Sequence, residues 1–353
     1  MAQLTIDLSA IQANYKTLKN KVGQACEVAG VVKANAYGLG VAPVSEALQT
    51  AGCMTFFVAT LPEAIELRMI LGDEPLIAML NGYQDKNAKL YLENRITPVI
   101  NDMTELHAYK KQGDNLPAMI HIDTAMNRLG IDPDEISPED KAGCDVKAIM
   151  SHFASSEDKE SDLNIIQAER FDKIAGEFPD IPKSLCNSSG IFLSESYHYD
   201  LVRPGMALYG LNPTPYADNP TQPVISLEAE ILQTHSVKKG ETVGYNATYR
   251  FENNSEVAVV DIGYADGILR SLTNSTNLYW NGTPCPVRGR ISMDLTIVDL
   301  GNIPENERPK AGEMLEVIGP NQTADDLARD AKTIGYEILT SLSQRYERKY
   351  INP

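Results

Sequence analysis

A lysine that closes an apolar run and precedes a glycine-rich turn is a residue placed for chemistry. Residues 31–40 read Val-Val-Lys-Ala-Asn-Ala-Tyr-Gly-Leu-Gly. The run 28–32 is β-branched or small and has the length of a buried strand, and Gly38 and Gly40 break it before a helical pattern begins at Val41. Lys33 therefore ends a strand. Parallel α/β sheets and barrels build their sites at such ends, where burial disfavours the ammonium and leaves a neutral amine able to act as nucleophile or base. The same spacing also fits a lysine that extends from a strand end to water.

The elements that must position this residue recur along the chain with a regular beat. A short strand at 4–7 precedes a helix at 10–21, started by the capping-box pattern Ser9-Ala10-Ile11-Gln12 and carried by Ile11, Leu18 and Val22. After Lys33 come a helix at 41–50, an apolar run at 56–59, and Thr60-Leu61-Pro62-Glu63, which opens another helix with both a capping box and a helix-start proline. Further apolar runs lie at 76–80, 96–100, 119–122, 146–150, 184–186 and 201–202. With 28–32 and 56–59 this makes eight strands in about 175 residues, which fits a (β/α)8 TIM barrel better than an open doubly wound sheet. No Gly-x-Gly-x-x-Gly follows any of them, which argues against a nicotinamide-binding domain.

Near residue 220 the texture changes. Pro213, Pro215, Pro220 and Pro223 mark a linker, after which strands with turn signals replace helical periods. Strands are expected at 225–237, 256–262, around a hairpin at Asn281-Gly282, at 292–300 and at 314–318, with one helix at 324–333. The expected architecture is α/β: an N-terminal barrel over residues 8–220 and a C-terminal, mainly-β domain over 221–353 that includes the N-terminal strand 1–7.

Composition sets outer bounds. A chain of 353 residues with 43% hydrophobic content can bury full cores. Its net charge of -17, without a basic cluster, argues against a nucleic-acid partner. The N-terminus lacks a basic segment followed by an apolar one, and no apolar stretch approaches membrane-spanning length, so a cytoplasmic protein without membrane attachment is expected. Cys26, Cys53, Cys144, Cys186 and Cys285 are widely spaced and form no Cys-x-x-Cys pair, so free thiols are expected and neither a disulfide framework nor a metal site.

The segment 31–40, taken whole, resembles the pyridoxal 5'-phosphate attachment segment of the alanine racemase family. The resemblance implies that Lys33 links covalently to that cofactor and that Tyr37 reaches its phosphate. Val243-Gly244-Tyr245-Asn246-Ala247-Thr248-Tyr249 resembles the family segment bearing a tyrosine base, which makes Tyr245 the base acting opposite Lys33 and a homodimer with composite sites the functional unit. Asn187-Ser188 and Arg203-Pro204-Gly205-Met206 follow the seventh and eighth strands, where hydroxyls, backbone N–H groups and a glycine favour a phosphate. By resemblance Asn187 belongs to the cofactor site, Ser188, Gly205 and Met206 bind the phosphate, Arg203 faces the ring nitrogen, and His152, in Ser151-His152-Phe153-Ala154, links Arg203 to the catalytic tyrosine.

Asp123-Thr124-Ala125-Met126-Asn127-Arg128-Leu129-Gly130 resembles the segment whose arginine binds the substrate carboxylate, a role that falls to Arg128. Tyr264 is placed at the access channel, and Met293 and Asp294 approach the substrate from the other subunit. Two positions depart from the pattern. His121 stands where many relatives carry a carbamylated lysine, and Gln344 where several carry a tyrosine that narrows the channel. The matches run from Asp7 to Arg345 and imply an enzyme that interconverts L- and D-alanine by two-base proton transfer and supplies D-alanine for peptidoglycan. A broad-specificity amino-acid racemase and a non-catalytic pyridoxal phosphate-binding protein are the alternatives. A barrel-type decarboxylase is argued against by Arg203 and Tyr245.

Overall fold

The chain divides into two compact units, Ser9–Gln222 and Met1–Leu8 with Pro223–Pro353. The structure, a computed structural model, describes residues 2–352 except 114, 115 and 142.

In the first unit a parallel sheet runs in chain order through Gly30–Val31, Thr55–Val58, Leu76–Met79, Ile96–Ile100, Leu116–His121, Cys144–Met150 and Lys183–Ser184. Its ends are joined by an eighth strand, Leu201–Val202, which pairs with Glu27–Val28 on one side. On the other side Asp200 N–H donates to Lys183 O (3.1 Å) and Arg203 N–H to Cys186 O (2.9 Å). The sheet is thus a closed eight-stranded barrel. Val28, Phe56, Phe57, Ile77, Val99, Ile100, Ile120 and Ile149 are fully buried, as strands covered on both faces require.

The helix after the N-terminal strand starts at Leu8, not at residue 10, so Ser9 lies inside its first turn instead of capping it. The next helix begins at Val41 and the one after it at Leu61, with Glu63 accepting the Thr60 N–H at 3.1 Å in the manner of a capping box. That helix also carries a buried arginine. Arg68 donates to the carbonyls of Asn94 (3.0 Å), Gly72 (2.7 Å), Pro75 (2.9 Å) and Arg95 (2.9 Å), tying two strand-leading turns to one guanidinium.

The second unit is built on the long strand Ile225–Val237. A register shift between Ile231 and Gln233 divides its pairing with Ser255–Val260. Before the shift it bonds Gln3–Asp7 and Met314–Ile318. The hairpin Asn277–Trp280/Thr283–Pro286 turns at Asn281 and Gly282 with φ of 48° and 81°, a conformation this pair adopts readily. The strand expected at 292–300 is confined to Thr296–Asp299. Ser292 and Leu295 close a turn on each other ahead of it, Ser292 N–H donating to Leu295 O at 3.0 Å. The helix Gly335–Ser341, the strand Glu347–Ile351, which pairs in parallel with Gln3–Asp7, and the short paired strands Thr242–Val243 and Tyr249–Arg250 were not anticipated. Among the described residues no helix is long and apolar enough to cross a membrane.

Replacing Arg68 by Met strands four carbonyls at the barrel's lower rim. Arg68→Met is expected to lower the unfolding free energy by about 2–4 kcal/mol, read as a shift of the urea midpoint at unchanged slope.

Candidate active site

Lys33 follows the first barrel strand and is half-buried, and the chain then turns left-handed. Ala34, Asn35, Ala36 and Tyr37 have φ of 55°, 55°, 51° and 54°, and Gly38 continues at 84°. A residue with a Cβ costs about 1–2 kcal/mol in this region, asparagine less than the others. Only Gly38 was placed there by its type, so the glycine-rich turn read from the sequence begins four residues earlier than its glycines. The turn keeps the chain from continuing past the barrel mouth and places the Lys33 amine there. Burial and the nearby Arg128 guanidinium both push the Lys33 amine below the usual lysine range, against a smaller opposing pull from Glu63.

The same turn delivers Tyr37 inward. Its ring stacks on Tyr209 at 4.6 Å, whose hydroxyl donates to Val31 O at 2.8 Å. The Tyr37 hydroxyl lies against Gly205, where any Cβ would overlap it. Ser188 Oγ accepts the Gly205 and Ala207 N–H groups at 3.0 and 3.2 Å, fixing the short turn Met206–Tyr209 that follows the eighth strand. Hydroxyls, backbone N–H groups and a side-chain-free position thus converge at one place. This is a cradle for an anion, and its donor set fits a phosphate ester. Asn187 braces it from outside: its Oδ1 accepts from Ser156 Oγ (2.8 Å) and Gly190 N–H (2.9 Å), so the side chain is committed to protein partners.

Beside the cradle, Arg203 is buried and donates to Ser184 Oγ, to Ser151 O at 2.5 Å and to His152 Nδ1 at 3.2 Å. Burial lowers its pKa to about 10, so it remains a cation at neutral pH. Because a guanidinium can only donate, His152 Nδ1 must accept, and the imidazole proton sits on Nε2. Burial first, then Arg203 and Arg128, hold His152 well below the usual histidine range and keep it neutral.

His121 has a partner that the sequence did not reveal. Asn101 spends its amide N–H groups on Leu80 O and Val99 O, both at 3.0 Å, so its Oδ1 faces His121 Nδ1 at 2.8 Å and accepts from it. His121 is therefore a neutral imidazole with a lone pair at Nε2. Burial, reinforced by Arg203 and Arg128, pushes it down to about 4. Arg128 itself is exposed on a loop pinned by Asp123, whose Oδ1 accepts the N–H groups of Ala125, Met126 and Asn127 at 2.9, 2.8 and 3.1 Å.

In the second unit Tyr245 occupies a short turn between the paired strands Thr242–Val243 and Tyr249–Arg250 and is 71% exposed. Gly244 and Gly289 let the backbones at 243–244 and 289–290 touch. Tyr264 and Met293 lie on loops joined by Tyr264 N–H to Ser292 O (3.1 Å) and Ala265 N–H to Met293 O (2.9 Å). Arg345 bonds Asp294 at 2.7 Å, while its neighbour Gln344 is exposed. Tyr245, Tyr264, Met293 and Asp294 thus share the second unit, and Lys33, Tyr37, Arg128, His152, Asn187, Ser188, Arg203, Gly205 and Met206 the first.

Taken together, the barrel and its mouth define a class: (β/α)8 proteins that present a strand-end lysine beside a phosphate-type cradle, followed in the chain by a mainly-β unit. Comparison with known proteins makes this specific. The alanine racemase N-terminal domain matches residues 6–213 and the C-terminal domain residues 224–350. The chain is 44% identical to the alanine racemase of Acidiphilium cryptum, over 98% of this chain and 97% of that one. It is 43% identical to the catabolic alanine racemase of Mesorhizobium japonicum, over 99% and 93%. The crystal structure of alanine racemase from Bartonella henselae with covalently bound pyridoxal phosphate superposes with a TM-score of 0.95 at 39% identity, over 99% of both chains. The chain belongs to the alanine racemase family.

The charge state of His121 carries a pH dependence. Between its folded value of about 4 and the ordinary value near 6.5 the unfolded chain takes up a proton that the folded one refuses. The contribution of His121 to stability is therefore full above pH ~6.5, falls through that window by about 3 kcal/mol and is gone below ~4. Denaturant titrations at pH 7 and pH 4.5 should show a smaller decline in His121→Gln than in the unsubstituted protein.

Proposed function

We propose that this protein racemises alanine, with Lys33 and Tyr245 as its two acid/base groups and pyridoxal 5'-phosphate as its cofactor. The observation that carries the proposal is the half-buried Lys33 amine, depressed in proton affinity, on the same barrel mouth as the Ser188–Gly205–Tyr37 cradle. When bound, the cofactor supplies the electron sink that makes an amino acid's α-proton acidic.

The residues divide the remaining work. Tyr37, Ser188 and the Met206 N–H would hold the phosphate against Gly205, whose own N–H already donates to Ser188 Oγ. Arg203, which keeps its own proton, would face the ring nitrogen and leave that atom unprotonated, a state that favours proton exchange at the α-carbon over transamination. Arg128 would take the substrate carboxylate with its planar fork of donors. Lys33 Nζ moves the proton on one face and the Tyr245 hydroxyl on the other, because a single base tends to return it to the face it left. The His152 Nε2–H is oriented to donate onward from Arg203, and in this reading its acceptor is Tyr245 Oη, which stabilises the phenolate.

Tyr245 lies on an exposed turn, and this supports a homodimer in which it completes the site of the partner copy, with Tyr264, Met293 and Asp294 lining the approach. His121 as a neutral acceptor and the exposed Gln344 bear on substrate breadth, and rates on alanine, serine, lysine and arginine measure it. The five free cysteines, four of them buried, fit the reducing cytoplasm.

With L-alanine in deuterated buffer, α-proton exchange and loss of optical rotation are expected from the cofactor-loaded protein. They should fall by about 10²–10⁴-fold in Lys33→Ala and in Tyr245→Phe. Failure of the unsubstituted protein to exchange would rule the reading out. After subunit exchange in an equal mixture, the two inactive variants should regain about a quarter of full activity, since half the dimers hold one intact site of two. Gly205→Ala, which forces a methyl against the Tyr37 hydroxyl, is expected to weaken cofactor binding at least tenfold by equilibrium dialysis.

A further inference from the structure

The left-handed turn after Lys33 is tied at its far side by bonds that lead into the next helix. Gly38 N–H donates to Ala34 O (2.8 Å), Gly40 N–H to Asn35 O (3.0 Å), and Val41 N–H to Asn35 Oδ1 (2.7 Å). The near side, next to the lysine, is held from another βα unit. Glu63, in the first turn of the helix after the second strand, accepts the Ala34 N–H on Oε1 at 2.8 Å. Its Oε2 accepts the N–H groups of Ala59 at 2.8 Å and Thr60 at 3.1 Å. A helix-capping glutamate needs only the last of these bonds. The other two join the residue after Lys33 to the end of the neighbouring strand, and three charge-assisted bonds use both carboxylate oxygens.

We propose that Glu63 is a positioning residue for Lys33: its carboxylate clamps the left-handed turn to the second barrel strand and so fixes where the lysine amine points. Strained backbone persists only where the surroundings over-determine it, and Glu63 supplies that constraint at the residue adjoining the amine. The carboxylate also favours the ammonium form of Lys33, against burial and Arg128. The inference rests on the reading of Lys33 as the cofactor-bearing lysine.

Glu63→Gln tests it selectively. An amide has one acceptor oxygen, which keeps two bonds by staying with Ala59 and Thr60, so the NH₂ group faces the Ala34 N–H and the turn is released while the helix start survives. Pyridoxal phosphate is added to the full-length, cofactor-free protein across a pH range, the link is trapped with borohydride, and the labelled peptide is identified. The plateau rate at high pH reports placement of the neutral amine, and the midpoint reports its proton affinity. Relative to the unsubstituted protein, Glu63→Gln should lower the plateau roughly ten- to hundredfold and move the midpoint to lower pH, a shift that a merely structural role would not produce. Labelling of Lys33 with plateau and midpoint unchanged overturns the clamp alone; absence of label at Lys33 in the unsubstituted protein overturns the reading of the site and the clamp with it. Hydrogen exchange gives a check without any variant: the Ala34 amide should exchange slowly although the residue is exposed, and exchange at the rate of a free surface amide also overturns the clamp.

Discussion

Positive charge gathered at the barrel mouth is the constraint on which the rest of the site depends. In a chain of net charge -17, Lys33, Arg128 and Arg203 lie close enough to depress one another's neighbours, and both His121 and His152 are driven neutral by burial and those two arginines. Two carboxylates near Lys33 and Arg128 are largely occupied by backbone N–H groups, Asp123 by three and Glu63 by three. Both carboxylates keep their charge and are fixed in place by these bonds, and Lys33, Arg128 and Arg203 outnumber them, which suits the mouth to an anionic ligand.

That arrangement also sets hydrogen-bond direction. Arg203 can only donate, so it selects the His152 tautomer; Asn101 has only its oxygen left, so it selects the His121 tautomer. Each imidazole is thereby left with one defined free function, a donor at His152 Nε2 and an acceptor at His121 Nε2. Neutral histidines with fixed tautomers orient neighbouring groups without adding charge to a region already crowded with it.

Backbone strain marks the candidate-site segments of both units. The turn at 34–37, the Arg128 loop with Ala125 and Asn127 at φ of 103° and 56°, and the Tyr245 turn with Asn246 and Ala247 at 62° and 48° all carry non-glycine residues in the left-handed region. The first two are each locked by a side-chain acceptor, Glu63 or Asp123, that receives several N–H groups. Glycines appear instead where a close approach leaves no room for a Cβ, as at Gly205 against the Tyr37 hydroxyl and Gly263 against the backbone of residues 292–293.

Much of this was legible in the amino-acid sequence. Apolar runs of strand length marked all eight barrel strands, because strands buried on both faces leave a continuous signal. The linker prolines and the Asn281-Gly282 hairpin marked the change to a β unit, and Lys33, Arg203 and Tyr245 were singled out by local motifs. The final strand, Glu347–Ile351, was not visible, since its polar, alternating residues pair with a strand more than 340 positions away. Only the tertiary structure could decide what holds the reactive groups. Glu63 reads as an ordinary helix cap and Asn101 as a loop residue, for their second partners, Ala34 and His121, lie 29 and 20 residues away. A sequence pattern records what a residue does for its own turn; which distant N–H or imidazole it also meets is set by how the barrel closes.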